Sequence, residues 1–154
     1  MMNVAPVRKQ VRVSASQPRA FAVFTAEMSR WWPATHSITK TPLKQYVLEP
    51  RKGGRWYAVG EDGEICETGY VIEWLPPQLL VLAWQLSGEW QYDPKLVTEV
   101  EVRFIAEGEN ITRVELEHRN LQRMAAAAER VRSMVDAPGG WSAILEAFKM
   151  CADA

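Results

Sequence analysis

The chain has 154 residues, of which 47% are hydrophobic and 24% charged, with a net charge of −1. Those are ordinary globular values that argue against disorder, a coiled coil or low complexity, and a chain of this length suits a single domain, residues 1–154, burying roughly 70% of its unfolded surface. The near-zero charge, without a dense Lys/Arg block, gives no electrostatic footprint for nucleic acid or an anionic membrane.

From Val7 to Ala15, Val7, Val11, Val13 and Ala15 alternate with Arg8, Gln10, Arg12 and Ser14, the period of a strand with one buried face. Ser16 then stands as an N-cap with Pro18 in the first turn, predicting a short helix to about Met28 with Phe21 and Phe24 inward. Trp31, Trp32 and Pro33 lead into an aperiodic loop through His36 to Pro42. Gln45 to Glu49, Arg55 to Val59, Glu64 to Trp74 and Leu79 to Gln85 read as strands. The Gly53-Gly54, Asp62-Gly63 and Pro76-Pro77 breaks between them imply an antiparallel meander. After a longer loop carrying Trp90 and Tyr92, Val97 to Ala106 and Thr112 to His118 alternate cleanly across a Gly108-Glu109-Asn110 turn. Leu121 to Val135 has helical spacing, Pro138-Gly139-Gly140 breaks it, and Trp141, Ile144, Leu145, Phe148 and Ala152 form the apolar stripe of a last helix. The expected fold class is therefore α+β. A curved antiparallel sheet of six to seven strands wraps round a long C-terminal helix, with a short helical segment after the first strand and space left at the open end of the concavity.

The strand-then-helix opening VRVSASQPRAFAVFT, the pair Trp31-Trp32, EPRKGGRWYAV, DGEICETGYVIEWLPPQLLVLAW, the hairpin end LEHRNL and GGWSAILEAF occur in an order and spacing that span nearly the whole chain. Together they resemble the single-domain relatives of the C-terminal domain of the heat-shock-protein-90 ATPase activator, within the START-related SRPBCC (Bet v 1-like) superfamily. The Trp32-Pro33 to His36-Ser37 stretch looks like one bacterial branch. The resemblance implies a helix-grip fold with a pocket between sheet and terminal helix. It implies little about activity, because that superfamily includes ligand carriers, receptors, cyclases and a co-chaperone domain. Gln122 to Pro138 and the loop around Trp90 depart from the family's usual pattern, and both are expected near the mouth of the pocket.

Seven Trp residues supply large rings for a core or a cavity. The ligand-binding candidates are Trp32, His36, Tyr57, Tyr70, Trp84, His118, Trp141 and Phe148. Core packing alone explains many of these rings, and Tyr70 adds a hydroxyl of the kind a pocket uses for orientation. His118 shares the parity of Val114 and Leu116, so its ring faces the concave side, where it either meets a ligand or moves a proton near neutral pH, or else is a structural histidine satisfied within the fold. His36, with Ser37 beside it, either folds over the pocket or sits at the surface while Trp31 and Trp32 plug the core. Gly69 is a candidate bulge that shifts the strand register.

Two scattered histidines and two cysteines, Cys66 and Cys151, make no zinc spacing or disulfide framework. Gly53-Gly54 lacks the Lys-Ser/Thr of a phosphate loop, and there is no G-x-S-x-G elbow, so no metal, cofactor or catalytic residue is assigned. The expected function is non-catalytic binding of a small hydrophobic or aromatic molecule. One alternative is a polyketide-cyclase-like enzyme using His118, His36 and Tyr70. The other is a chaperone-associated interaction domain, since Leu79 to Trp84 is apolar on both faces and needs cover from the chain, a homodimer partner or a chaperone. Without a signal-peptide core or a run of roughly 20 apolar residues, the chain is expected to be cytoplasmic.

Overall fold

A computed structural model describes residues 4–154. Seven antiparallel strands form one curled half-barrel: β1 (Val7–Val13), β2 (Leu43–Leu48), β3 (Arg55–Gly60), β4 (Ile65–Leu75), β5 (Leu79–Trp84), β6 (Thr98–Gly108) and β7 (Ile111–Arg119). Their order across the sheet is β1-β7-β6-β5-β4-β3-β2, so β2 to β7 is a meander and β1 joins its far end beside β7. The connection from β1 to the opposite edge carries helices α1 (Gln17–Thr25) and α2 (Met28–Trp31) and a 3-10 turn, Ala34–His36, over the concave face. Ser16 caps α1 as its sequence predicts, its hydroxyl accepting from the Arg19 N–H, with Pro18 in the first turn.

Period two places Val100, Val102 and Phe104 of β6 opposite His118, Leu116 and Val114 of β7, all buried on the concave side. The convex side of the same hairpin is a charge ladder in which Arg119 reaches Glu99, Glu101 and Glu117. On β5, Leu80, Leu82 and Trp84 join the core, whereas Val81 and Ala83 face outward and are still buried. Val81 lies between Glu73 and Glu101 and Ala83 between Tyr70 and Glu99, so long side chains of neighbouring strands cover this apolar run. The cover that the sequence asks for comes from the chain itself.

The helical C-terminal region differs from its periodicity. Residues Leu121–Ala127 form irregular 3-10 turns, with Asn120 at φ 64° and Ala125 at φ 52°, and regular helix begins only at α3 (Ala128–Asp136). Leu121 and Met124 are buried by this path, so tertiary packing overrides the helix propensity of the alanine run. Helix α4 (Trp141–Asp153) then lies in the concavity against β1, α1 and α2, burying Trp141, Ile144, Leu145, Phe148 and Ala152. It is the gripped helix, and the helix-grip architecture is the observed one.

Gly69 marks a bulge. The β3–β4 register shifts between Trp56 and Tyr57, opposite Gly69 and Glu67, and a Cβ on Gly69 would fall on the Ala83 carbonyl oxygen of β5. Glycine there lets β4 press against β5 beside Trp84, with which Gly69 pairs.

Candidate functional site: an aromatic cavity at the open end of the sheet

Where the half-barrel opens, a cavity of about 550 Å³ lies between the sheet, α3, α4 and the loop after α2. Its wall combines Trp32, Thr35, His36, Ser37 and Ile38 with Tyr46 of β2, Trp84 of β5 and the following Leu86, Glu89 and Trp90. Met134, Val135, Gly139, Gly140, Trp141 and Ile144 close the helical side. The rings meet edge to face: Trp84 lies 5.5 Å from Trp141, and Trp32 lies 4.8 Å from Tyr46 and 6.3 Å from Trp141.

The mouth is built by two loops. Ser87 Oγ accepts from the backbone N–H groups of Glu89 and Gln91, and this tight turn holds Trp90 at φ 61° with its ring edge-on to Trp84 at 6.4 Å. Such a φ is sparsely populated for a bulky residue, and the conformation is held by the surrounding bonds. Arg130 of α3 ties the same loop down through the Gly88 carbonyl and Glu89. Across the mouth, His36 Nε2–H donates to the Gly139 carbonyl at 2.6 Å, and Trp32 Nε1–H donates to the His36 carbonyl at 3.2 Å. The aperiodic loop is thus clasped to the α3–α4 break.

His118 sits behind the Trp84 and Trp141 rings, fully buried, and is not part of the lining. An indole can only donate, so the 3.1 Å bond from Trp141 Nε1 fixes His118 Nδ1 as an acceptor. The proton of the neutral ring is then on Nε2, which donates to Thr98 Oγ1 at 2.9 Å, and the Thr98 hydroxyl in turn donates to the Trp84 carbonyl at 3.2 Å. Burial pushes the imidazolium pKa down to about 3, so His118 is neutral near pH 7 and does not shuttle protons there. Its place is in a three-bond relay that positions Trp141 and Trp84.

Of the eight sequence candidates, the structure brings Trp32, His36, Trp84 and Trp141 to the cavity. Phe148 is sealed one layer deeper, edge to face with Phe24 and Trp31 at 5.2 and 5.4 Å. Tyr57 faces away from the concavity, between buried Trp56 and Ala58, with the Arg55 guanidinium 4.4 Å above its ring. Tyr70, next to Gly69 and opposite Arg55, points to the convex side and is 38% exposed. Ser37 is engaged with Thr39, at 2.5 Å to its hydroxyl.

Sequence reasoning missed Tyr46, Leu86, Met134, Val135, Ile144 and the two glycines of the break as cavity walls. A signal existed for Tyr46, which shares the parity of Leu48 on β2, and for Gly139 and Gly140, which immediately precede Trp141. Tyr46 is buried and bonded through its hydroxyl to Thr68 Oγ1 at 2.6 Å, and burial raises its pKa well above the ordinary phenol value. Cys66 is half-buried and donates to Glu64, and burial with that carboxylate raises its thiol to about 11. It is not a reactive thiolate. Among the described residues no cluster of His, Cys, Asp and Glu is arranged to hold a metal, and no helix is long and apolar enough to cross a membrane.

A sheet gripping a helix over an end cavity defines the START-related SRPBCC class. Within it, the chain belongs to the family described as activator of Hsp90 ATPase homolog 1-like protein, which matches residues 14–153. Among solved structures it is similar to an anthrahydroquino-gamma-pyrone synthase, Txn09, complexed with SUM, at 36% identity over 95% of this chain and 96% of that one, with a TM-score of 0.68. It is also similar to the self-sacrificing resistance protein CalC from Micromonospora echinospora, at 35% identity over 96% and 94% of the two chains, TM-score 0.70. The Aha1 dimer from Colwellia psychrerythraea shares the fold at 14% identity over 97% of both chains, TM-score 0.61. No curated protein matches.

Proposed function

We propose that this protein binds a small, flat, apolar or aromatic molecule in the cavity, without catalysing a reaction on it. The observation that carries this reading is the cavity itself, about 550 Å³ and faced by Trp32, Tyr46, Trp84, Trp90 and Trp141. Its size falls in the range of small-molecule sites, and edge-to-face rings favour a planar guest. Relatives at 35–36% identity that are named as a synthase of an anthrahydroquino-gamma-pyrone and as a resistance protein support a small-molecule role. The cyclase-like alternative drew on three polar groups that do not converge: His118 is sealed and Tyr70 lies on the convex side, leaving His36 at the cavity. The interaction-domain alternative loses its main support where β5 is covered by its own neighbours.

Titration with planar tricyclic aromatics should quench Trp emission saturably at one site per chain. Substituting Met134→Trp at the cavity wall should weaken that binding without lowering the melting temperature. Linear, unsaturable quenching across the whole panel would remove this reading.

A further inference from the structure

Resting on the reading that the cavity takes an aromatic guest, the hydrogen-bond inventory of its wall specifies which chemical class of guest. Nearly every polar side chain there is already committed within the fold. His36 is bonded to Gly139 and Thr35, Ser37 to Thr39, and Glu89 to Arg130. The indole N–H groups of Trp32 and Trp141 serve the His36 carbonyl and His118.

The exception is Trp84. Its side chain lines the cavity and is buried, with the residue only 5% exposed, yet Nε1 has no acceptor among the described residues. A buried donor left without a partner costs about 1–3 kcal/mol, so such groups are rare unless something else completes the bond. The Tyr46–Thr68 hydroxyls, which share one bond, can give or accept one further bond, whereas the Trp84 indole can only donate. The one carboxylate on the wall, Glu89, meets Arg130 and lies in the mouth loop.

We infer that the guest is a neutral planar aromatic ketone or quinone whose carbonyl oxygen accepts from Trp84 Nε1–H. An amine or aromatic ammonium would bring a donor to the Trp84 N–H, which can itself only donate. A carboxylate would lose its hydration against a wall whose lining holds no Lys or Arg. A bare hydrocarbon would fill the space and leave the indole unpaired. The oxygen atom is thus the specificity handle, and the surrounding rings supply the rest of the binding.

Fluorene and 9-fluorenone share one tricyclic plane and differ by that carbonyl. Titrated into the full chain and followed by Trp emission, fluorenone should bind about tenfold more tightly, the worth of a net hydrogen bond in a buried site. In the ¹H–¹⁵N spectrum of the wild-type protein, one indole resonance should move downfield with fluorenone and not with fluorene. Trp84→Phe should remove that resonance and equalise the two affinities while fluorene binding persists. Equal wild-type affinities with no selective indole shift would overturn the carbonyl inference and leave the cavity as a general aromatic site whose Trp84 N–H is served by water. Binding of neither compound would overturn the cavity reading and this inference with it. The wild-type comparison decides even if the variant fails to fold.

Discussion

Side by side on the concave face, two nitrogen-bearing rings show how burial assigns roles. Trp84 has a donor without a partner, whereas His118 has both nitrogens engaged and a pKa depressed to about 3. The sign of the resulting pH dependence follows directly. Above about 6.5, neither the folded nor the unfolded chain holds a proton on His118, and stability is at its full value. Below that pH the unfolded chain takes the proton up while the folded one resists until about 3, so stability falls by up to ~1.4 kcal/mol per pH unit across the window. Urea unfolding of wild type and His118→Gln at pH 7, 6 and 5 should show this: the difference in their stabilities narrows as pH falls. A constant difference would mean that His118 is not held neutral. His118 lies on the face that its period predicts. What periodicity cannot provide is the indole that arrives from α4, residues away in sequence, to fix its tautomer.

At the scale of the elements, strand parity carries most of the fold and a single glycine carries the join that matters to the cavity. Substitution Gly69→Ala would drive a methyl into the Ala83 carbonyl, forcing β4 and β5 apart next to Trp84. The expected cost is about 3 kcal/mol or more, read by chemical denaturation, because the obstacle is backbone and not the end of a flexible side chain. A loss below about 1 kcal/mol would show that the bulge can absorb a Cβ. The strands, α1 and α4 were legible because each has a strict period and standard stop signals, such as the Ser16 cap and the Pro138-Gly139-Gly140 break. Two things were not. Leu121–Ala127 has helical spacing yet follows irregular turns, since burying Leu121 and Met124 next to β6 outweighs local propensity. The orientation of Tyr70 depends on the bulge in β4, and a shift of one residue exchanges the two faces of a strand.

For the whole molecule, the cavity is assembled from segments distant in the chain: the loop after α2, the hairpin at Trp90, the α3–α4 break and the start of α4. Four of its walls, Trp32, His36, Trp84 and Trp141, could be named as candidates from the sequence. The others are loop residues with no period, such as Ile38, Leu86 and Gly139, or element residues such as Tyr46 and Ile144, and their proximity is a product of the closed architecture. The Trp90 loop and the region before Pro138 contribute to the wall, through Glu89, Trp90, Met134 and Val135. A guest that bridges these segments should stabilise all of them together. At a free concentration a hundred times its dissociation constant, 9-fluorenone should add about 2.7 kcal/mol, raising the melting temperature by roughly 5–11 °C for a chain of this size. Differential scanning fluorimetry reads that shift, and its absence under saturating binding would mean that the ligand also binds the unfolded chain.

The pairing of β1 with β7 sets Val7 against His118 and carries the chain over the concave face between its two ends. During synthesis, the first strand therefore emerges long before its only partner in the sheet exists. It must wait in the company of α1 and α2 until residues near Arg119 have left the ribosome, and α4, which packs on β1, comes later still. Closing a loop of roughly a hundred residues adds little to the equilibrium cost but slows the search. Completion of the half-barrel and closure of the cavity are thus late and coupled events, and a nascent chain that stalls before β7 exposes an unpaired N-terminal strand with one apolar face to whatever protein quality control is at hand.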